Sequence, residues 1–192
     1  MLNVKVIVGS TRPGRFSEKI LPWLHAELLK REGVEVEVLD LKEHVLPMFD
    51  QAVSPAYIAD GNYGNDVVNA WGKKIGEADA FIMISPEYNH GPSAVIKNAI
   101  DSVYGEWNKK PVGFISYGSA GGARAVEQLR QVAVEVQMAS TRNAVHIMAP
   151  WNLSNEDGSL KDGVLDDYTT SLNGMLDQLQ WWGEALKNAR NA

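Results

Sequence analysis

The sequence predicts an α/β fold: a single domain over residues 1–192, built as a three-layer sandwich with helices on both faces of a parallel sheet. Short apolar runs typical of strands alternate with segments whose apolar residues recur every three or four positions. Several strands are followed by polar, glycine-rich loops, as in sheets that bind a ligand at the carboxyl ends of their strands. We therefore expect a five-stranded parallel sheet in the order 2-1-3-4-5.

Five segments have the composition of strands. Residues 4–8 and 111–116 are short apolar runs, and residues 79–85 are so uniformly apolar that they predict a central strand. Residues 34–41 alternate apolar with acidic side chains, which is typical of a strand nearer the edge of a sheet. The last strand is expected at 143–148.

Helical spacing fills the intervals between these strands. The first helix carries an apolar stripe from Ile20 to Leu28 and ends at Gly33, and Pro22 is expected to kink its first turns. The other expected helices span 66–78, 93–104, 123–137 and 164–188. Residues 44–65 have neither pattern and predict a long loop.

The loop after the first strand predicts a phosphate site. It reads Gly-Ser-Thr-Arg-Pro-Gly-Arg-Phe-Ser over residues 9–17. Its side-chain donors are three hydroxyls and two guanidinium groups, those of Ser10, Thr11, Ser17, Arg12 and Arg15. The loop leads into a helix N-terminus, where backbone amides and the helix dipole favour an anion. The alternative is an ordinary strand–helix turn with solvent-facing arginines.

Two familiar phosphate loops do not fit these residues. A P-loop requires Gly-Lys-Ser/Thr at the spacing set by Gly9 and Gly14, but Arg15 and Phe16 follow Gly14. A dinucleotide fingerprint requires glycine at position 11, which is Thr11. The remaining interpretation is a loop that binds a single phosphate group.

Composition excludes several classes of site. Apolar residues make up 45% and charged residues 22%, as in ordinary globular proteins, and no apolar run approaches the roughly 20 residues that span a bilayer. The chain has no Cys, which excludes disulfides and thiolate chemistry, and we expect a cytoplasmic protein. A net charge of −6 without a basic block argues against nucleic acid or an anionic membrane as partner. The scattered His residues predict no metal site.

Two further loops are expected beside the phosphate loop. Residues 86–92 follow the third strand and residues 117–122 follow the fourth. In the order 2-1-3-4-5 the strand order reverses between strands 1 and 3, and ligands of such sheets bind at that reversal. One ligand can therefore touch all three loops.

Three motifs resemble the NADPH-dependent FMN reductase family: residues 9–17, Pro-Glu-Tyr-Asn at 86–89 and Lys-Asn-Ala-Ile-Asp at 97–101. The similarity covers most of residues 3–150. It implies a flavodoxin-like fold, FMN as cofactor and NADPH as reductant, with flavin, quinones, azo dyes or chromate as acceptors. It implies no catalytic side chain, because the flavin carries the chemistry.

The resemblance also implies the cofactor-binding residues, position by position. The FMN phosphate would be held by Ser10, Arg12, Arg15, Phe16 and Ser17. The isoalloxazine ring would be lined by Pro86, Glu87, Tyr88 and Asn89, and its far side by Ser116, Tyr117, Gly118, Gly121 and Gly122. Glu87 is equally expected at a subunit contact, because a carboxylate beside a reduced flavin is unfavourable. The family often has Ser or Gly shortly after the Asn, where this chain has His90-Gly91-Pro92.

Other functions share some of these features. An electron-carrier flavodoxin would have the same fold, although such proteins are far more acidic around the flavin. A hydrolase using Ser116 or Ser119 would need the Gly-x-Ser-x-Gly elbow, whose first glycine is replaced by Phe114 or Tyr117. A nucleotide-binding regulator would bind NADPH without oxidising it.

A homo-oligomer, either a dimer or a tetramer, is the expected assembly. One face of the flavin would otherwise be open to water, and large aromatic rings are favoured in interface cores. The candidate interface rings are Tyr88, Trp107, Trp181 and Trp182.

Overall fold

The computed structural model describes residues 1–192, and its centre is one parallel sheet. The strands are β1 (Leu2–Val8), β2 (Val34–Asp40), β3 (Ala80–Pro86), β4 (Pro111–Gly118), β5 (Ala139–Ser140) and β6 (Val145–Met148). Their order is β2-β1-β3-β4-β5, and β6 also pairs with β4. Every pairing is parallel, so the predicted fold and strand order are confirmed.

The fifth strand position is filled by two short pieces and not by one strand over 143–148. β5 pairs with the start of β4, and β6 pairs with its end. Between them the amide of Thr141 donates to Val112 O at 2.9 Å, while its hydroxyl donates to Asn143 O at 2.9 Å. This local bond closes a bend that interrupts the strand, and a bend of this kind leaves no trace in hydrophobic periodicity.

Five α-helices connect the strands: α1 (Ser17–Leu28), α2 (Asp66–Gly76), α3 (Ala94–Asp101), α4 (Ala123–Glu135) and α5 (Asp166–Arg190). Side-chain caps fix two of the starts. The Asn65 carbonyl oxygen accepts from the amides of Val67 and Val68, and the Ser93 hydroxyl accepts from the amide of Ile96. α3 ends earlier than expected because the chain turns into a short 3₁₀ segment, Gly105–Trp107.

The sheet separates two apolar cores, one on each face. On β3, Phe81 and Met83 face the helices α2, α3 and α4, while Ile82 and Ile84 face α1 and α5. All seven residues of β3 are buried, whereas β2 is mostly half-exposed. The central and edge positions predicted for these strands are therefore confirmed.

Trp107 is a core residue, so its predicted place at an oligomer interface is wrong. Its side chain is fully buried against Trp71 and Phe81, and Nε1 donates to Ile100 O and Val103 O at 3.1 and 3.2 Å. The 3₁₀ segment turns the ring inward, and this turn is not visible in the residue pattern.

The long loop over 44–65 is held by specific side-chain bonds. The Asn98 side chain accepts from the amide of Phe49 at 2.8 Å and donates to Pro47 O at 2.9 Å. Near the end of the loop, the Tyr63 hydroxyl donates to a Glu106 carboxylate oxygen at 2.6 Å. Burial raises the pKa of Tyr63, and its hydrogen bond to Glu106 raises it further.

None of the helices combines the length and the apolar character needed to cross a bilayer.

Candidate functional site

A cavity of about 370 Å³ lies at the carboxyl ends of β1, β3, β4 and β6. This volume is within the range of small-molecule pockets. The loops that follow these four strands form its walls together with the first turn of α1. The lining residues are Ser10, Arg12, Pro13, Gly14, Arg15, Phe16, Lys19, Pro86, Glu87, Tyr88, Tyr117, Gly118, Pro150 and Trp151. The expected meeting of three loops is thus present, and a fourth loop joins them.

Arg12 is the free cation of the loop over 9–17. Its side chain is exposed, forms no hydrogen bond or ion pair, and places the guanidinium carbon 5.7 Å from the centre of the Tyr88 ring. The Tyr88 hydroxyl lies 3.1 Å from the Ser10 hydroxyl. Tyr88 therefore links the first loop to the loop after β3, with Arg12 beside both.

Arg15 behaves differently although it belongs to the same loop. Its side chain is buried and pairs with the Asp40 carboxylate at the end of β2. The same guanidinium also donates to Ser10 O, and Nε donates to a Glu18 carboxylate oxygen at 2.9 Å. Burial alone would raise the pKa of Asp40, but the hydrogen bonds and charge of Arg15 lower it below the usual value. Arg15 thus fastens the loop to β2 and α1.

Two buried hydroxyls at this end of the cavity have no hydrogen-bond partner. They belong to Ser17, at the start of α1, and to Tyr117, at the end of β4. Burial raises the pKa of the Tyr117 phenol above its usual value, and the neighbouring hydroxyls of Ser17 and Ser10 act in the opposite direction. Buried polar groups are nearly always paired in native proteins. Unpaired donors beside Ser10, in a cavity that Arg12 also lines, therefore fit an oxygen-rich anionic ligand such as a phosphate monoester.

The loop after β3 is anchored to the start of α4. Glu87 accepts from the backbone amide of Arg124 at 3.1 Å and from its Nε at 2.6 Å. Burial by itself would raise the pKa of Glu87, but the hydrogen bonds and charge of Arg124 hold it below the usual value. Arg124 Nη1 also lies 2.8 Å from Nε2 of His90, and Gln128 Nε2 donates to His90 O at 2.7 Å. The carboxylate at the cavity wall is therefore neutralised within the chain.

A tight turn projects Asn89 and His90 away from the cavity. Tyr88 and Gly91 exchange both backbone hydrogen bonds, and the two central residues have φ of 49° and 71°. This left-handed conformation is unfavourable for His90, so its bonds to α4 stabilise the turn. Asn89 does not line the cavity.

The glycine-rich loop after β4 is shaped by close backbone contacts. The Ser116 hydroxyl is fully buried, donates to Gly121 O at 2.7 Å and lies 2.9 Å from His146 Nδ1. A Cβ at Gly122, which has φ of 74°, would lie 2.6 Å from Ser116 Cβ, so only glycine fits there. A buried Ser116 bonded to a carbonyl is out of reach of a substrate, which argues against the hydrolase alternative.

Of the predicted cofactor residues, the cavity is lined by Ser10, Arg12, Arg15, Phe16, Pro86, Glu87, Tyr88, Tyr117 and Gly118. The others, which lie behind its walls or beside them, are Ser17, Asn89, Ser116, Gly121 and Gly122. No group of three or more His, Asp or Glu side chains could hold a metal ion.

Sequence reasoning missed Lys19, Pro150 and Trp151 as wall residues. Pro150 and Trp151 follow β6, which ends at the same edge of the sheet as β1, β3 and β4. That shared edge is the signal that could have identified them, because parallel strands bring all their following loops to one side. Lys19 lies in the first turn of α1, where its Nζ donates to the Ser154 hydroxyl at 2.9 Å.

The sequence matches the model of the NADPH-dependent FMN reductase family over residues 2–152. An NAD(P)H-dependent FMN reductase of Schizosaccharomyces pombe is 39% identical over 137 residues, which are 71% of this chain and 68% of the relative. An FMN-dependent NADPH-azoreductase of Staphylococcus saprophyticus is 30% identical over 165 residues, covering 85% and 81%. The structure of FerB, a flavoenzyme NAD(P)H:(acceptor) oxidoreductase from Paracoccus denitrificans, shares 28% identity, with a TM-score of 0.72 over 96% of this chain and 98% of FerB.

A flavodoxin-like sheet with a cavity at its carboxyl edge, taken with the family match, identifies a flavoprotein of the oxidoreductase class. The chain belongs to the NADPH-dependent FMN reductase family and is an FMN-dependent NAD(P)H oxidoreductase. These relatives favour the reductase over a flavodoxin-type electron carrier.

Proposed function

We propose that FMN binds in the cavity at the carboxyl edge of the sheet, with its phosphate beside Arg12. The observation that carries this proposal is the pair of buried, unpartnered hydroxyls of Ser17 and Tyr117 at the end of a cavity that the unpaired Arg12 also lines. Hydroxyl and guanidinium groups are donors that a phosphate accepts from, and Arg12 and Tyr117 line the cavity where it would bind. Phe16, Pro86, Tyr88 and Gly118 offer the flatter and less polar surface that an isoalloxazine ring requires.

Bound FMN supplies the redox chemistry, the passage of two electrons from NADPH to an acceptor. The protein's part is to bind and orient. Because Arg124 neutralises Glu87, the wall of the cavity does not repel the negative charge that a flavin gains on reduction. Gly118 packs closely against the loop after β3, since a Cβ there would lie 3.2 Å from Glu87 Cβ.

For the acceptors we propose small planar molecules, namely quinones, azo compounds and free flavin. The names of the relatives support this choice, and the cavity has an open aromatic residue, Trp151, at its rim. A cytoplasmic location remains a prediction.

The purified protein is expected to hold about one FMN per chain and to be bleached by NADPH. Initial rates with NADPH and a quinone or azo dye should give parallel double-reciprocal lines, because both substrates use one flavin in turn. The measurements are the flavin absorbance spectrum and steady-state kinetics. A purified protein that neither contains FMN nor takes it up on titration would contradict the proposed function. FMN that stays oxidised under excess NADPH and NADH would favour an electron carrier.

We propose a homodimer or homotetramer as the working assembly. Trp181 on α5 supports this proposal, because the residue is 68% exposed and Trp182 beside it is half-buried. Sedimentation velocity at micromolar concentration is expected to give a multiple of 21.1 kDa, and Trp181→Ser should shift the equilibrium toward the single chain. An active species of 21.1 kDa would contradict the proposal.

A further inference from the structure

Four charged side chains line the cavity: Arg12, Arg15, Lys19 and Glu87. Two of them are already neutralised. Arg15 pairs with Asp40 and Glu18, and Glu87 pairs with Arg124. Arg12 and Lys19 form no ion pair with any carboxylate. The cavity of this acidic chain therefore has two positive charges without a carboxylate at ion-pair distance, although the charge of Lys19 acts on Asp157.

Lys19 is placed to reach the phosphate loop. It lies in the first turn of α1, two residues after Ser17, and side chains on a helix lean toward its N-terminus. Lys19 is half-buried, and its ammonium group has three N–H donors, one of which bonds to the Ser154 hydroxyl at 2.9 Å. The remaining donors are available to a ligand in the cavity.

The charges of cavity and ligand match. A phosphate monoester carries about −1.5 to −2 at neutral pH, and the two free cations carry about +2 together. Arg15, which the spacing of the loop predicts as the second cation, contributes no net charge because Asp40 cancels it. The hydroxyls of Ser17 and Tyr117 complete the donor set.

We propose that Lys19 is the second cation of the FMN phosphate site, in the role that the sequence predicts for Arg15. This inference rests on the proposed location of FMN. Because Lys19 also holds Ser154, phosphate bound at its ammonium group fixes the segment that carries Pro150 and Trp151. The phosphate therefore orders the wall of the cavity on the side of β6 as well as the loop over 9–17.

The test is flavin affinity of the full-length protein freed of flavin by dialysis, measured by fluorescence titration with FMN and with riboflavin. Lys19→Met is expected to weaken FMN binding roughly 10- to 100-fold, as the loss of one charge-assisted hydrogen bond does. Riboflavin has no phosphate, so its affinity should change less than about threefold. Arg12→Ala should show the same selectivity, and the double variant should bind FMN and riboflavin about equally.

Two controls separate the charge of Lys19 from its contact with Ser154. Lys42→Met removes an exposed lysine near α1 that lies outside the cavity, and it should leave both affinities unchanged. Ser154→Ala removes the hydrogen bond between Lys19 and Ser154 but keeps the ammonium group, so the preference for FMN over riboflavin should persist. Equal losses for FMN and riboflavin in Lys19→Met, or an unchanged FMN affinity, would overturn the inference. If the wild-type protein binds neither flavin, the proposed function itself fails.

Discussion

Replacing Arg15 by methionine is expected to lower the free energy of unfolding by about 3–5 kcal/mol, the usual effect of breaking a buried ion pair. The variant leaves the Asp40 carboxylate, whose side chain is 13% exposed, without its cation. It also removes the donors to Ser10 O and to Glu18, which hold the loop against α1. Urea unfolding of the flavin-free protein, followed by circular dichroism, measures the change.

Arg12→Met is the matched control for this prediction. It removes the same group from the same loop, but Arg12 is exposed and unpaired, so its effect should stay within about 0.5 kcal/mol. Adding Asp40→Asn to Arg15→Met should recover part of the loss, because the uncompensated charge disappears while an oxygen remains for the amide of Lys42. Equal stability of the Arg15 and Arg12 variants without flavin would contradict the structural role.

The difference in the free energy of unfolding between wild type and Arg15→Met is expected to depend on pH in the acid range. The pKa of Asp40 is lowered in the folded protein, so its stabilising effect is present above the unfolded pKa of about 3.9 and is lost as the pH falls through the folded pKa. Without Arg15 that contribution is absent at every pH. The difference between wild type and Arg15→Met should therefore shrink below about pH 4.

The order of the sheet was predictable because burial differs between strands. A strand covered on both faces must be apolar throughout, as β3 is, and an edge strand tolerates alternation, as β2 does. The division of the fifth position into β5 and β6 coincides with a bend at which the Thr141 hydroxyl donates to Asn143 O. A hydrogen bond of that kind depends on the three-dimensional course of the backbone, so the pattern of apolar residues does not predict it.

The position of the site was predictable, but the roles of its two arginines were not. Arg12 and Arg15 have the same chemistry and stand three residues apart in one loop. They differ because Asp40, which is 25 residues after Arg15, ends the strand next to that loop and takes its guanidinium. Which arginine meets a carboxylate follows from strand pairing, which determines what lies beside the loop.

Lys110 is the least expected charged group of the core. Its side chain enters the end of α2, where Nζ donates to Ile75 O at 2.9 Å and to Gly76 O at 3.0 Å. Burial lowers the pKa of this amine from 10.5 to about 8, and the charge of Arg190 acts in the same direction. The charges of Asp79 and Glu106 oppose that shift, and the charge of Lys5 adds to it.

The free energy of unfolding is therefore expected to increase between about pH 8 and pH 10. In this range folded Lys110 loses its proton while the unfolded chain keeps it, and stability rises with pH wherever the unfolded state binds more protons. A pKa lowered from 10.5 to about 8 corresponds, at about 1.36 kcal/mol per pH unit, to at most roughly 3 kcal/mol. Urea unfolding of the flavin-free protein at half-unit steps of pH measures the slope. The raised pKa of Tyr63 acts in the opposite sense above about pH 10, which sets the upper limit of the window.

Lys110→Met keeps an unbranched apolar side chain but has no amine to titrate, so its stability should be nearly constant over the same range. Its absolute stability can change as well, because Ile75 O and Gly76 O lose their donor, and the slope is therefore the quantity to compare. Lys109→Met is the control: this neighbouring lysine is exposed, and its variant should retain the wild-type slope. A wild-type protein with constant stability from pH 8 to 10, or a Lys110→Met variant with the full slope, would show that Lys110 is not the titrating group.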